Sequence, residues 1–315
     1  MGEAAAAEIA TWEPGVMRLH PRMQSLTLEI ILRAVLGVES SAHAADIRGA
    51  LRDVLNITSV RMLLWVKPEL GRFGPWKRYR EIQARADELL FGEIAARRAD
   101  PDIEQRNDIL SLLVQARYED GEPLGDQDVR DQLITLLLAG HETTSTGLAW
   151  AFERLMRHPD HMRRAVEAAE RGDEDHLENV AKEALRVRPV IVDVARKLTA
   201  DAEFGGHLLP AGTTLFPSIL AVQESDDWGA HPRAFDPERW TDAPAPPYSW
   251  IPFGGGTRRC LGAAFAQMEM RVVLREVLRR VELRPVFKRG EPERVNHITS
   301  VPAFGTLARV SKRVT

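Results

Sequence analysis

The chain has 315 residues, 44% of them hydrophobic and 28% charged, with a formal net charge of −4 at pH 7. That length suffices for a large core, and the mild acidity gives no signature of a nucleic-acid partner. A single cysteine excludes an intramolecular disulfide framework and fits a reducing cytosol. No apolar run approaches the roughly 20 residues of a bilayer span and no signal peptide opens the sequence, so a soluble, cytoplasmic chain is expected.

In chain order, the first 160 residues read almost wholly as helix. Met23 to Leu36 and Asp46 to Val60 are amphipathic, and Trp76 to Arg98 continues in that style after the breaker Gly71 to Pro75. Acidic residues from Asp126 to Asp131 open a segment that can run for about 30 residues, or about 45 Å, before Pro159 stops it. Its middle is apolar on nearly every face, which predicts burial. A further helix, centred on Lys182 to Arg186, ends at Arg188-Pro189. The pattern then changes to short segments rich in β-branched residues, Val190 to Leu198, Glu203 to Leu208 and Thr213 to Val222, separated by glycine and proline turns. Asp242 to Pro247 reads as a surface loop, and a last helix follows Cys260. Asn296 to Val301 and Thr306 to Val310 are expected to pair as a hairpin around Pro302 to Gly305. The fold class is mainly α with a small β region, helical over 1–188 and mixed over 189–315.

The densest chemical signal is Phe253 to Gly262, FGGGTRRCLG, which leads straight into the last helix. Gly254, Gly255 and Gly256 let the backbone approach a flat ligand closely, Phe253 offers a lid, and Arg258 can meet a carboxylate. Cys260 lies where exposed helix N–H groups and the positive end of the dipole favour an anionic sulfur. One thiolate cannot close a zinc or iron–sulfur site, but it can be the axial ligand of a haem iron. The bland alternative is a buried structural cysteine after a tight turn. No Gly-Lys-Ser/Thr follows, so a phosphate loop is excluded, and no strand–turn–helix unit supports a dinucleotide loop.

Three further stretches stand out. Ala139-Gly-His-Glu-Thr-Thr144 puts Glu142, Thr143 and Thr144 inside an apolar helix, where they are costly unless satisfied or used. Thr side chains there can take backbone carbonyls and open a local bulge, and Gly140 leaves room for something flat. A merely wet patch on a core helix explains the segment equally well. His141-Glu142 is not the start of a zinc motif, because position 145 is Ser. Glu183-Ala-Leu-Arg186 alone is an ordinary i,i+3 pair worth a few tenths of a kcal/mol. Phe235-Asp-Pro-Glu-Arg-Trp240 follows.

Together, and in this order, these stretches resemble the landmarks of the cytochrome P-450 family of haem-thiolate monooxygenases. The resemblance implies haem b as cofactor, held on iron by Cys260, with Phe253, Gly254, Arg258 and Gly262 in its binding loop. It implies that Ala139 and Gly140 lie over the haem, Thr143 holds dioxygen and its waters, and Glu142 feeds the proton relay. Glu183, Arg186 and Arg239 would form a structural triad behind the thiolate loop, and Arg196 would join Arg258 on the haem propionates, while Arg259 faces solvent. Leu136 to Thr143, Val190 to Val194 and Ser300 to Pro302 would line a pocket for an apolar substrate. Electrons would reach it from NAD(P)H through a separate ferredoxin and its reductase, since no flavin or iron–sulfur module is present. A peroxygenase or isomerase using the same thiolate, or an inactive haem-binding fragment, are the alternatives. The resemblance spans all 315 residues but starts late. No equivalent of the family's upstream helix with its propionate-binding residue is found, so the chain is expected to be an N-terminally truncated member.

Overall fold

A computed structural model describes residues 1–37, 42–55, 69, 74–241 and 245–313. The expected continuation of a helix to Val60, the breaker over 71–73 and loop positions 242–244 lie outside the described residues. The chain divides into two compact units, Ser25–Glu142 and a larger one made of Met1–Gln24 and Thr143–Thr315. The chain is mainly α, and its named strands all belong to the larger unit.

The smaller unit is built from α2 (Leu19–Leu36), which enters it at Ser25, α3 (Ala42–Leu55), α4 (Gly74–Arg98), α5 (Ile109–Gln115) and the first half of α6 (Asp126–Arg157). Its core follows helical spacing. Ile47, Leu51 and Val54 form a buried stripe on α3, Ala86, Leu90 and Ile94 one on α4, and Val129, Leu133 and Leu137 one on α6. Burying each such large side chain is worth about 1.5–3 kcal/mol. The ends of three helices meet at buried Arg97, which donates to the Leu36 carbonyl at 2.9 Å and also to Asp108 and Ser111. Asp108 caps α5 through the Ser111 N–H at 2.9 Å.

The larger unit begins with α1 (Gly2–Ala10) and β1 (Gly15–Arg18), a strand inside the stretch read as helical. Asp126 and Asp128 at the start of α6, and Arg154 and Arg157 at its end, match the helix dipole. Pro159 ends α6 as expected and opens α7 (Pro159–Arg171), followed by α8 (Glu174–Val187). α10 (Ala263–Arg280) packs on α1, α7 and α8 and buries Val273, Leu274, Val277 and Leu278.

The strands correct the sequence reading in two places. Among the described residues of 190–215, the named strands pair as β2 (Arg196–Lys197) with β5 (Thr214–Leu215), and β3 (Ala202–Phe204) with β4 (His207–Leu209). The stretch taken as the end of a strand is instead α9 (Ile219–Gln223). Pro217 breaks the extended run, and the Ser218 hydroxyl accepts the Ala221 N–H at 3.2 Å, an N-cap that outweighs the β-branched composition. The C-terminal hairpin also differs. β7 (Glu293–Asn296) pairs with β8 (Thr299–Pro302) across a turn with His297 at φ 57°, so β8 does not pair with β9 (Leu307–Lys312). β9 runs antiparallel between β1 and β6 (Val281–Pro285), the strand that leaves α10. Partners that lie more than 20 residues away compete successfully with the local turn.

Candidate functional site

The glycine loop joins Trp250 to α10. Gly254 and Gly256 have φ of 69° and 67°, a left-handed conformation that costs a side-chain-bearing residue about 1–2 kcal/mol. The Gly254 N–H donates to the Ile251 carbonyl at 2.9 Å and the Arg259 N–H to the Gly256 carbonyl at 3.1 Å, so two tight turns stand in series. The Cys260 N–H then donates to the Phe253 carbonyl at 2.9 Å, fixing the backbone that carries the thiol to the start of the loop. Gly262 is the N-cap of α10, two residues beyond the sulfur. Cys260 is exposed and Leu261 is 91% exposed, so the bland reading of a buried structural cysteine does not hold. Arg258 ends a short 3-10 turn, Gly256–Arg258, and is exposed. Arg196 on β2 is exposed and donates only to the neighbouring Ala195 carbonyl, at 2.8 Å. Among the described residues neither arginine has a carboxylate partner. An accessible soft sulfur, bare backbone on its approach and two unmatched guanidinium groups fit a flat, iron-bearing dianion.

Beneath this loop lies a buried ion cluster. Glu183 and Arg186, one helical turn apart on α8, are both fully buried and bonded twice, at 2.7 and 2.8 Å. Arg239, from the turn Pro237–Trp240, approaches Glu183 at 3.5 Å and donates to the Trp228 carbonyl at 2.7 Å. The structure therefore brings Glu183, Arg186 and Arg239 together. Sequence reading missed the rest of the cluster. Glu183 also accepts the Asp236 N–H at 2.9 Å and the Trp240 indole N–H at 3.0 Å. Arg186 also donates to the carbonyls of Gln223 and Ala234, each at 2.9 Å, and to that of Pro232. Trp240 was within reach, being part of the Pro-x-Arg-Trp pattern; Gln223 and the backbone carbonyls left no sequence signal.

On α6, Ala139, Glu142 and Thr143 lie at i, i+3 and i+4 and so share one stripe, with Ala139 exposed and the other two half-buried. The helix stays α throughout, without the local bulge envisaged from its threonines. The expected complete burial of its middle is met from Thr144 to Glu153. A Cβ at Gly140 would stand 3.0 Å from Ile31 Cδ1, so the missing side chain lets α2 approach α6. Thr27 secures the same contact by donating to the His141 carbonyl at 2.9 Å. Burial lowers the pKa of His141, against the opposing pull of Glu142, which leaves the ring neutral near pH 7.

Of the expected pocket residues, Ser300, Val301 and Pro302 on β8 are buried, and the Ser300 N–H donates to the Val190 carbonyl at 2.8 Å. Asp193 is exposed and bridges to Ser218. No helix among the described residues is long and apolar enough to cross a membrane.

Comparison with known proteins agrees with this geometry. The family model for cytochrome P450 matches residues 8–302. Cytochrome P450 135B1 of Mycobacterium bovis is 46% identical over 317 residues, covering 98% of this chain and 67% of its own length. Cytochrome P450 135A1 of Mycobacterium tuberculosis is 42% identical over 312 residues, covering 98% of this chain and 70% of its own. Among solved structures, a cytochrome P450DA heme domain superposes with TM-score 0.82 at 27% identity, over 99% of this chain and 72% of that one. A retinoic acid-bound cyanobacterial CYP120A1 gives the same TM-score at 21% identity, over 99% and 73%, a likeness of fold. With the family model spanning nearly the whole chain and close relatives agreeing over 98% of it, this protein belongs to the cytochrome P450 family.

Proposed function

We propose that the chain holds haem b through the Cys260 thiolate and serves as the oxygenating component of a monooxygenase. Its substrate is an apolar organic molecule, and its electrons come from NAD(P)H through a separate ferredoxin and reductase in the cytoplasm. The observation that carries this reading is the exposed Cys260, whose backbone N–H is bonded to the Phe253 carbonyl within a left-handed glycine loop at the head of α10. When bound, the haem supplies the chemistry of dioxygen activation and oxygen transfer. Cys260 would hold the group through its thiolate and donate electron density to the metal. Gly254 and Gly262 would keep the approach bare, and Phe253 would serve as a lid. Arg258 and Arg196 would neutralise the propionates with charge-assisted hydrogen bonds.

Protons come from α6. The Thr143 hydroxyl orders a water and the Glu142 carboxyl exchanges protons with it, a role whose removal typically costs 10²–10⁴-fold. Ala139, exposed on the same stripe, keeps the helix surface small beside them, and Gly140 follows it where α2 packs. Glu183, Arg186 and Arg239 take no part in the chemistry and hold the chain beneath the loop. Buried Ser300 to Pro302 and Val190 supply apolar surface for substrate, which favours a hydrophobic molecule.

The test is spectroscopic. The chain is loaded with haem, reduced and exposed to carbon monoxide; a strongly red-shifted Soret band is expected, and its loss in Cys260→Ser. Absence of haem uptake, or an unchanged spectrum in that variant, overturns the reading. Turnover with NAD(P)H and redox partners, set against turnover with peroxide alone, separates the monooxygenase from a peroxygenase. In Thr143→Ala, more of the reducing equivalents are expected to appear as peroxide.

A further inference from the structure

Four aromatic rings run in contact from the interior of the larger unit to the Cys260 loop. Centroids of Trp228 and Trp240 are 5.3 Å apart, those of Trp240 and Trp250 5.4 Å, and those of Trp250 and Phe253 5.9 Å. These are contact distances for tilted and edge-to-face rings. The last ring belongs to the residue whose carbonyl accepts the Cys260 N–H. Packing alone accounts for the burial of Trp228 and the half-burial of the other three rings, but their charged surroundings differ in an ordered way. The Arg186 guanidinium lies over Trp228 at 4.9 Å. Trp240 donates its N–H to a carboxylate oxygen of Glu183 at 3.0 Å, with the Lys182 ammonium farther away at 6.0 Å from its ring. Trp250 donates to a neutral acceptor, the Lys182 carbonyl, at 3.2 Å.

An indole that has lost an electron is a cation, stabilised by an adjacent carboxylate and destabilised by an adjacent guanidinium. Glu183 is shared with Arg186 and Arg239, but along the row only Trp240 hands its N–H directly to a carboxylate, so Trp240 is the easiest indole to keep oxidised, with Trp250 on its way and Trp228, under the Arg186 guanidinium, disfavoured. We propose that Trp250 and Trp240 form a one-electron relay that draws oxidising equivalents away from the Cys260 face and holds them at Trp240, beside Glu183. The steps balance in electrons. A one-electron oxidant at the Cys260 face is reduced by Trp250, Trp250 is restored by Trp240, and the Trp240 radical cation remains paired with the Glu183 carboxylate. A soluble thiol or ascorbate then returns the electron. Phe253, a far poorer electron donor than an indole, acts only as a bridge. The relay rests on the proposed haem chemistry for the natural source of its oxidant, but its operation does not depend on it.

The test needs no haem. Cys260 is the chain's one cysteine and is exposed, so a thiol-reactive ruthenium(II) polypyridyl photo-oxidant can be attached there alone. Flash excitation in the presence of hexaammineruthenium(III) as electron acceptor then leaves ruthenium(III) beside Phe253. The expected result is the visible absorption of an indole radical and, by peptide mass spectrometry, oxygenated product concentrated at Trp240. Trp250→Phe should lose both signals, whereas Trp240→Phe should keep the radical and move the product to Trp250. Circular dichroism checks that each variant is folded, and the unsubstituted chain gives a test free of any variant. Product confined to other side chains, such as Tyr248, which is 85% exposed, overturns the proposal. So does product at Trp240 that persists undiminished in folded Trp250→Phe. A failure of haem uptake would leave this result untouched, so the two readings fail separately.

Discussion

Glu183 takes hydrogen bonds from Arg186, Arg239, Trp240 and the Asp236 backbone, and Arg186 spends its remaining donors on three carbonyls. Such a pair is not in itself a large source of stability, because both ions are desolvated; breaking it is what costs. Glu183→Gln should destabilise the chain by about 3–5 kcal/mol in urea titration. The apolar double variant Glu183→Leu/Arg186→Met should lose less than either single change. Glu269 makes a contrasting case on the first half of α10. Its buried carboxylate has neither oxygen hydrogen-bonded among the described residues. Burial pushes its pKa up to about 8, only partly opposed by the positive amino terminus. The folded state therefore prefers the protonated acid, and the unfolded state titrates near the ordinary value of 4.5. Stability is complete below that value and is lost as the pH climbs towards 8, with a slope of at most about 1.4 kcal/mol per pH unit. Glu269→Gln should flatten this dependence in urea titrations from pH 5 to 8 and be the more stable form at the upper end. A wild-type curve flat across that range would refute the assignment.

At the scale of elements, α6 was legible because its signals are local: acidic residues at one end, basic residues at the other, a proline beyond and buried residues every fourth position. The strands near the C-terminus were not, because what decides their pairing is distant in sequence. Glu291 shows why. Its buried side chain accepts the backbone N–H groups of Phe304 and Thr306 at 3.0 and 3.1 Å, as well as that of Leu307. Its own N–H donates to the fully buried Glu153 of α6 at 3.0 Å. Thr306, at φ 55°, adds a bond from its hydroxyl to the Ala149 carbonyl at 2.9 Å. The turn that looked like a hairpin tip is thus fastened to α6 and delivers β9 to the sheet with β1 and β6. In Glu291→Ala, amide hydrogen exchange at 304–307 should accelerate, reflecting a local loss of about 1.5–3 kcal/mol for each charged hydrogen bond removed. Unchanged protection there would show that the sheet alone holds the turn.

At the scale of the whole molecule, the chain spans about two thirds of the length of the curated relatives it matches. Within it the thiolate loop stands open, and among the described residues Arg258 of the loop and Arg196 of β2 have no carboxylate partner. A ligand that binds only the folded chain stabilises it by mass action, about 2.7 kcal/mol when present at a hundredfold excess over Kd. Haem should accordingly raise the melting temperature of the wild-type chain in calorimetry and raise it less in Cys260→Ala. Equal shifts in the two proteins would place the haem elsewhere than on this sulfur.

The sequence by itself determined the family and the chemical landmarks, because these depend on residue types at fixed short spacings: the glycines and Cys260 in one loop, Glu183 and Arg186 one turn apart, Glu142 beside Thr143. It also determined the long helices, whose period is written in their apolar residues. Only the tertiary structure decided that Ile31 occupies the space beside Gly140, that Gln223 and the 232 and 234 carbonyls complete the shell of Arg186, and that β9 joins β1 rather than β8. Each of those outcomes depends on groups far apart along the chain competing for one contact, and no local pattern records which of them wins.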